Sequence, residues 1–168
     1  ISNSQSTALS LNLQDALQFI LLLLIYREFY MKDVRALVAV TTIYCGFEIV
    51  NSLFFQDINS FQTWTWAMGS LLFVGMSLGY FLFILKKQEL VDVAGYAPAW
   101  INAAVAFYFS FSLYLFIVAQ YVFSHASPDT SFVFWGFHNL NNLIKNILFA
   151  VAIYKGEKGG LIARSDRT

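Results

Sequence analysis

Six polar side chains interrupt the last apolar stretch of this chain. His138, Asn139, Asn141, Asn142, Lys145 and Asn146 stand within residues 131–154, otherwise made largely of Phe, Leu, Ile, Val and Ala. Lys145 lies near the middle of that stretch, where a charged side chain costs at least ~2.5–3.5 kcal/mol on membrane-insertion scales. A residue that costly points to function, as a proton relay, an ion path or a ligand contact. Glu48, in the second apolar stretch, reads as the one carboxylate deep inside any of them. Glutamate, histidine and lysine together are the groups used for proton transfer and for holding charged ligands.

The elements that must position these residues are transmembrane helices. The chain has 168 residues, 58% of them hydrophobic and 12% charged, and its mean hydropathy is +0.61. Crossing a hydrocarbon core takes about 20 residues of helix. Residues 12–30, 34–56, 61–85, 99–123 and 131–154 meet that length, which predicts an all-α bundle of five spans. The connections are too short for a separate soluble domain. Residues 1–11 read as a polar N-terminal segment, 12–155 as one transmembrane domain and 156–168, with Gly159 and Gly160, as a flexible tail. The opening Ile1 suggests that a leader was removed or that sequence precedes it.

Basic residues set the expected orientation. Arg27, Lys32 and Arg35 flank the first turn, Lys86 and Lys87 follow the third span, and Lys155, Lys158, Arg164 and Arg167 follow the fifth. The other two connections hold Asp57 and Asp129 and no basic residue. This positive-inside pattern predicts an outside N-terminus and a cytoplasmic C-terminus in a plasma or inner membrane. The inner basic rim also favours anionic lipid headgroups.

A helical wheel at ~100° per residue gathers the six polar residues of the fifth span into less than half its circumference. Phe137, Leu140, Leu143, Ile144, Ile147 and Leu148 occupy the opposite arc. In the second span, Thr41, Tyr44, Glu48, Asn51 and Phe55 form one stripe at helical spacing. Glu48 and Lys145 differ in expected depth by under ~10 Å, and Asn51 and His138 fall at similar depths. The expected site is therefore a network of Glu48, Asn51, His138, Asn142 and Lys145 between the second and fifth spans. The bland reading of the same residues is an ion pair and asparagine ladder that fasten helices.

Other features are weaker. Gly75 and Gly79 form a small-xxx-small pair suited to close helix packing, within the chain or against a second subunit. Trp64, Trp66, Trp100, Tyr96, Tyr121 and Tyr154 near span ends read as interfacial anchors. Asp15 and Gln18 read as an interfacial helix start, His125 as a solvated loop residue and Cys45 as a packing residue.

Several chemistries find no support. The chain has no nucleophile elbow, no His-Glu-x-x-His and no phosphate loop, so no enzyme is expected. One histidine in the spans falls short of a metal site or bis-histidine haem, and no cofactor is expected. A lysine in the last span fits Schiff-base chemistry, but retinal proteins use seven spans and five are read here. Expected partners are the lipid bilayer and other membrane subunits or a second copy, with no role for nucleic acid.

Two functions of different class fit. One is a sensory, signal-transducing module in which the polar site answers to a ligand or a proton, with His138 as a switch. In outline, aromatic-rich helices followed by a charged exit resemble the membrane input regions of bacterial sensor kinases. The other is a small transporter or conducting subunit, although no repeat and no interrupted helix supports it.

Overall fold

A computed structural model describes residues 2–31, 33–57, 62–87, 93–125 and 127–165. Lys32 and Arg167, both counted in the expected basic rim, fall outside these. Five helices occur in the order α1 (Ser2–Phe29), α2 (Val34–Phe54), α3 (Thr63–Lys87), α4 (Ala97–His125) and α5 (Pro128–Ser165), with a 3-10 turn at Val93–Gly95 before α4. Among the described residues there is no strand. Among the described residues, three helical stretches are long and apolar enough to cross a membrane, Val34–Phe54, Thr63–Lys86 and Ala97–Ala119. α1 and α5 have the length, but Asn12, Gln14, Asp15 and Gln18 dilute the first and the polar face of the fifth span dilutes the second.

Local chemistry sets the helix ends. Asp33 caps α2, its carboxylate accepting from the Arg35 N–H at 2.9 Å. Ser127 precedes Pro128, and its hydroxyl accepts from the Thr130 N–H at 3.3 Å, the usual pairing of a capping serine with a first-turn proline. α5 runs through Gly159 and Gly160 to Ser165. The segment expected as a tail is therefore helical over most of its length, because extending an established helix costs far less than starting one.

The helices alternate in direction. Phe19 of α1 stacks on Tyr44 of α2 at 3.8 Å, and Phe73 of α3 contacts both Phe19 and Phe109 of α4, at 5.2 and 4.6 Å. α3 packs along α4 and α4 along α5, while α2 packs on α3. α1 joins through long side chains: Phe19, Leu22, Leu23 and Tyr26 form its buried stripe. Tyr26 ties three helices, its hydroxyl donating to Asn102 Oδ1 at 2.5 Å and lying 2.7 Å from Ser77 Oγ. The Asn102 amide in turn donates to the Ser77 carbonyl at 3.2 Å. Tyr26, Ser77 and Asn102 thus each find a partner on another helix, as polar groups removed from water require.

The glycines divide by what faces them. A Cβ at Gly69 would stand 3.3 Å from the Tyr44 ring, and one at Gly79 would stand 2.6 Å from the Tyr30 hydroxyl. Gly75 has open space in front of it. Of the expected packing pair, only Gly79 receives a neighbour, and that neighbour is a tyrosine side chain rather than a helix backbone. Cys45 is exposed rather than packed.

Candidate functional site

The polar face of α5 does not act as one unit. Asn141 turns to α4, where its amide donates to the Tyr108 carbonyl at 3.0 Å and to Ser112 Oγ at 3.1 Å. It is a fastener. Asn139 is exposed. His138, Asn142, Lys145 and Asn146 instead line a cavity of about 340 Å³, together with Gln14, Asp15 and Gln18 of α1, Trp66 and Ser70 of α3, and Tyr108 of α4. The fit of these four residues to one cavity follows from their 3–4 residue spacing, which places them on successive turns of one face.

Lys145 is 9% exposed, and its Nζ lies 4.0 Å from the centre of the Tyr108 ring. Among the described residues it meets no carboxylate. A ring face attracts an ammonium more strongly once water is removed, which makes this placement tolerable without an ion pair. Tyr108 is central in another way: its hydroxyl sits among the side chains of Gln18, Ser112 and Asn142, and so links α1, α4 and α5.

His138 stands about two turns before Lys145 on α5 and is close enough to interact with its charge. The ring is caged by Trp135, Phe116 and Tyr108, at 5.5, 5.6 and 6.1 Å. The Asn142 amide nitrogen lies 3.3 Å from His138 Nε2. An amide nitrogen can only donate, so Nε2 accepts and the neutral ring carries its proton on Nδ1. Among the described residues that buried Nδ1 has no partner. The wall from α5 thus carries a cation, with an unsatisfied donor buried behind it.

The facing carboxylate comes from α1. Asp15 lines the cavity, and its Oδ2 accepts the Tyr44 hydroxyl at 2.9 Å. Glu48, one turn beyond Tyr44, is half-buried and interacts electrostatically with Asp15. The expected partners from the second span are therefore not brought against Lys145. Asn51 is buried at the α2–α3 end, donating to Thr65 Oγ1 at 3.0 Å and to Gln56 Oε1 at 3.1 Å. Gln62 reinforces the same clasp through Ser52 Oγ at 2.8 Å.

The structure accordingly brings together His138, Asn142 and Lys145 and separates them from Glu48 and Asn51. The depth argument gave no lateral information: α2 packs on α3 and α5 on α4, and α1 supplies the opposite wall. Asp15, Gln14, Gln18 and Tyr108 were not singled out from the sequence as site residues. Asp15 lay close to the chain's polar start, and its spacing from Gln14 and Gln18 was the available signal. Trp66, expected as an interfacial anchor, lies against Phe116 at 4.9 Å and lines the cavity.

Compared with known proteins, the chain matches no family model, no curated protein and no solved structure.

Proposed function

We propose that this chain is a multi-pass membrane sensory module, with all five helices crossing the bilayer, the N-terminus outside and the C-terminus cytoplasmic. It acts by binding rather than by catalysis. The observation that carries this reading is the polar cavity among α1, α3, α4 and α5, in which Lys145 rests on a ring instead of a carboxylate. A site built only to fasten helices would satisfy its own charge, since an isolated buried cation is costly. A site that waits for a ligand or a proton leaves that charge to be answered. The basic residues at alternate connections support the orientation.

Output fits α5. It is 38 residues long, or about 57 Å at ~1.5 Å per residue, longer than a hydrocarbon core of ~30 Å. Lys145 and His138 lie on the same helix that leaves the membrane past Lys155. A change of charge or occupancy at the cavity therefore tilts or shifts a continuous rod.

The test is a distance measurement in proteoliposomes, with spin labels on cysteines placed at Lys86 and Glu157 in a Cys45→Ala background. Lys145→Met is expected to change the distance distribution relative to the unaltered site. Identical distributions overturn the sensory reading. A proton flux across the same vesicles that Lys145→Met abolishes overturns it in favour of conduction.

A further inference from the structure

The polar cavity continues sideways. Gln14, Gln18 and Lys145 also line a second, largely apolar cleft of about 300 Å³ with Leu17, Leu21, Leu22 and Phe149. Leu17 and Leu21 are more than half exposed on the outer surface of α1. The same three polar residues therefore form a rim shared by a polar chamber inside the bundle and an apolar cleft between α1 and α5. Among the described residues, the Lys145 ammonium has no counter-ion, and the buried Nδ1 of His138, which also lines the chamber, has no acceptor.

Resting on the sensory reading above, we propose that the site binds a single-chain amphiphile with an anionic head. The head sits against Lys145 in the chamber and the alkyl chain lies in the α1–α5 cleft. Charge complementarity selects the head. Lys145 offers three donors, and a carboxylate or phosphate oxygen supplies charge-assisted hydrogen bonds that strengthen away from water. Asp15 does not fill this role, because its carboxylate is held by Tyr44 and lies beside Glu48. The amides of Gln14, Gln18, Asn142 and Asn146 add donors around the same head.

The chain serves delivery more than affinity. Lipid tails are as apolar as leucine, so moving an alkyl chain from bilayer to cleft gains little. A ligand already dissolved in the membrane reaches Lys145 laterally between α1 and α5 without crossing water. A short, soluble anion lacks that route.

The experiment uses the whole chain in nanodiscs of zwitterionic lipid and follows thermal unfolding with dodecanoate, dodecyl phosphate, dodecanol and acetate. A ligand that binds the folded state raises its midpoint. Dodecanoate or dodecyl phosphate is expected to raise the midpoint by several degrees, and dodecanol and acetate at the same concentration are not. A larger response to the carboxylate points to a fatty acid, and a larger response to the phosphate points to a single-chain phosphate ester such as a lysophospholipid. Lys145→Met is expected to abolish the shift and Lys145→Arg to retain most of it. Leu21→Trp, which fills the cleft and leaves the chamber unaltered, is expected to reduce the shift severalfold even if Lys145→Met fails to fold. An equal shift with dodecanol, or a shift undiminished in Leu21→Trp and Lys145→Met, overturns the proposal. If no amphiphile binds while Lys145→Met still alters the Lys86–Glu157 distance, the amphiphile is overturned and the sensory reading stands. If that distance is also unchanged, both are overturned.

Discussion

The ammonium of Lys145 lies over the ring of Tyr108 at 4.0 Å from its centre, and this contact across α4 and α5 takes the place that an ion pair would hold. It keeps the charge at the cavity wall while leaving its donors uncommitted. The tyrosine serves two purposes at once, since its hydroxyl also meets Gln18 and Asn142.

Substitutions at Tyr108 separate those two purposes. Tyr108→Phe keeps the ring and is expected to cost about 1 kcal/mol through the lost hydroxyl contacts. Tyr108→Leu also removes the cation–π contact, worth about 2 kcal/mol where water is excluded, and is expected to cost distinctly more. Unfolding in detergent measures both. A double-mutant cycle with Lys145→Met isolates the pair, with an expected coupling of about 1–2 kcal/mol for Leu at Tyr108 and near zero for Phe.

Asn141 and Asn142 are neighbours in sequence with opposite expected behaviour. Asn141 donates to two acceptors on α4 and is 2% exposed. Asn141→Ala is expected to lower stability by about 1–2 kcal/mol, since membrane hydrogen bonds average ~0.6 kcal/mol and reach ~1.7. It should leave dodecanoate binding unaltered. Asn142→Ala faces the cavity and is expected to do the reverse, weakening binding with a smaller loss of stability. Thermal midpoints with and without dodecanoate read both effects.

The contrast between Asn141 and Asn142 also marks how far sequence reasoning reached. Helix periodicity and residue cost grouped His138, Asn142 and Lys145 on one expected inward face, because both depend on a single helix, and all three line one cavity. All-helical architecture followed from composition and span length; the expected starts at 34, 61, 99 and 131 lie within three residues of those of α2–α5, whereas α1 begins at Ser2 rather than at 12. Lateral neighbours did not follow. Which helix faces α5 is decided by packing among all five, so Glu48 and Asn51 were equally plausible partners at the right depth. Asp15 was hidden by its position near the polar start of α1. Trp66 shows the same limit: an aromatic near a span end serves as an anchor or a wall according to which way its helix is turned.

The glycines of α3 make a prediction about packing. Gly75→Ala adds a methyl into open space and is expected to be neutral or to stabilise by up to about 1 kcal/mol through helix propensity. Gly79→Ala meets the Tyr30 hydroxyl at 2.6 Å and must turn that side chain aside. Its gain should therefore be smaller or reversed, with the difference visible in paired unfolding curves. If Gly75→Ala proves the more harmful of the two, Gly75 is covered by another subunit in the assembled protein, and crosslinking should then detect that contact.

Tyr44 holds the carboxylate of Asp15, which lines the same cavity as Lys145. Its hydroxyl donates to Asp15 Oδ2 at 2.9 Å while its ring stacks on Phe19 at 3.8 Å. Tyr44→Phe keeps the stack and frees the carboxylate. A hydrogen bond to a charged acceptor contributes about 1.5–3 kcal/mol, but the released Asp15 can now turn across the cavity toward Lys145 and recover part of that. The expected result is a stability loss smaller than the bond alone implies, together with weaker binding of dodecanoate, because the cation is now answered from within. Tyr44→Phe combined with Asp15→Asn removes the competing charge and is expected to restore binding. If the single variant binds dodecanoate as well as the unaltered chain, then Tyr44 does not hold the carboxylate away from Lys145.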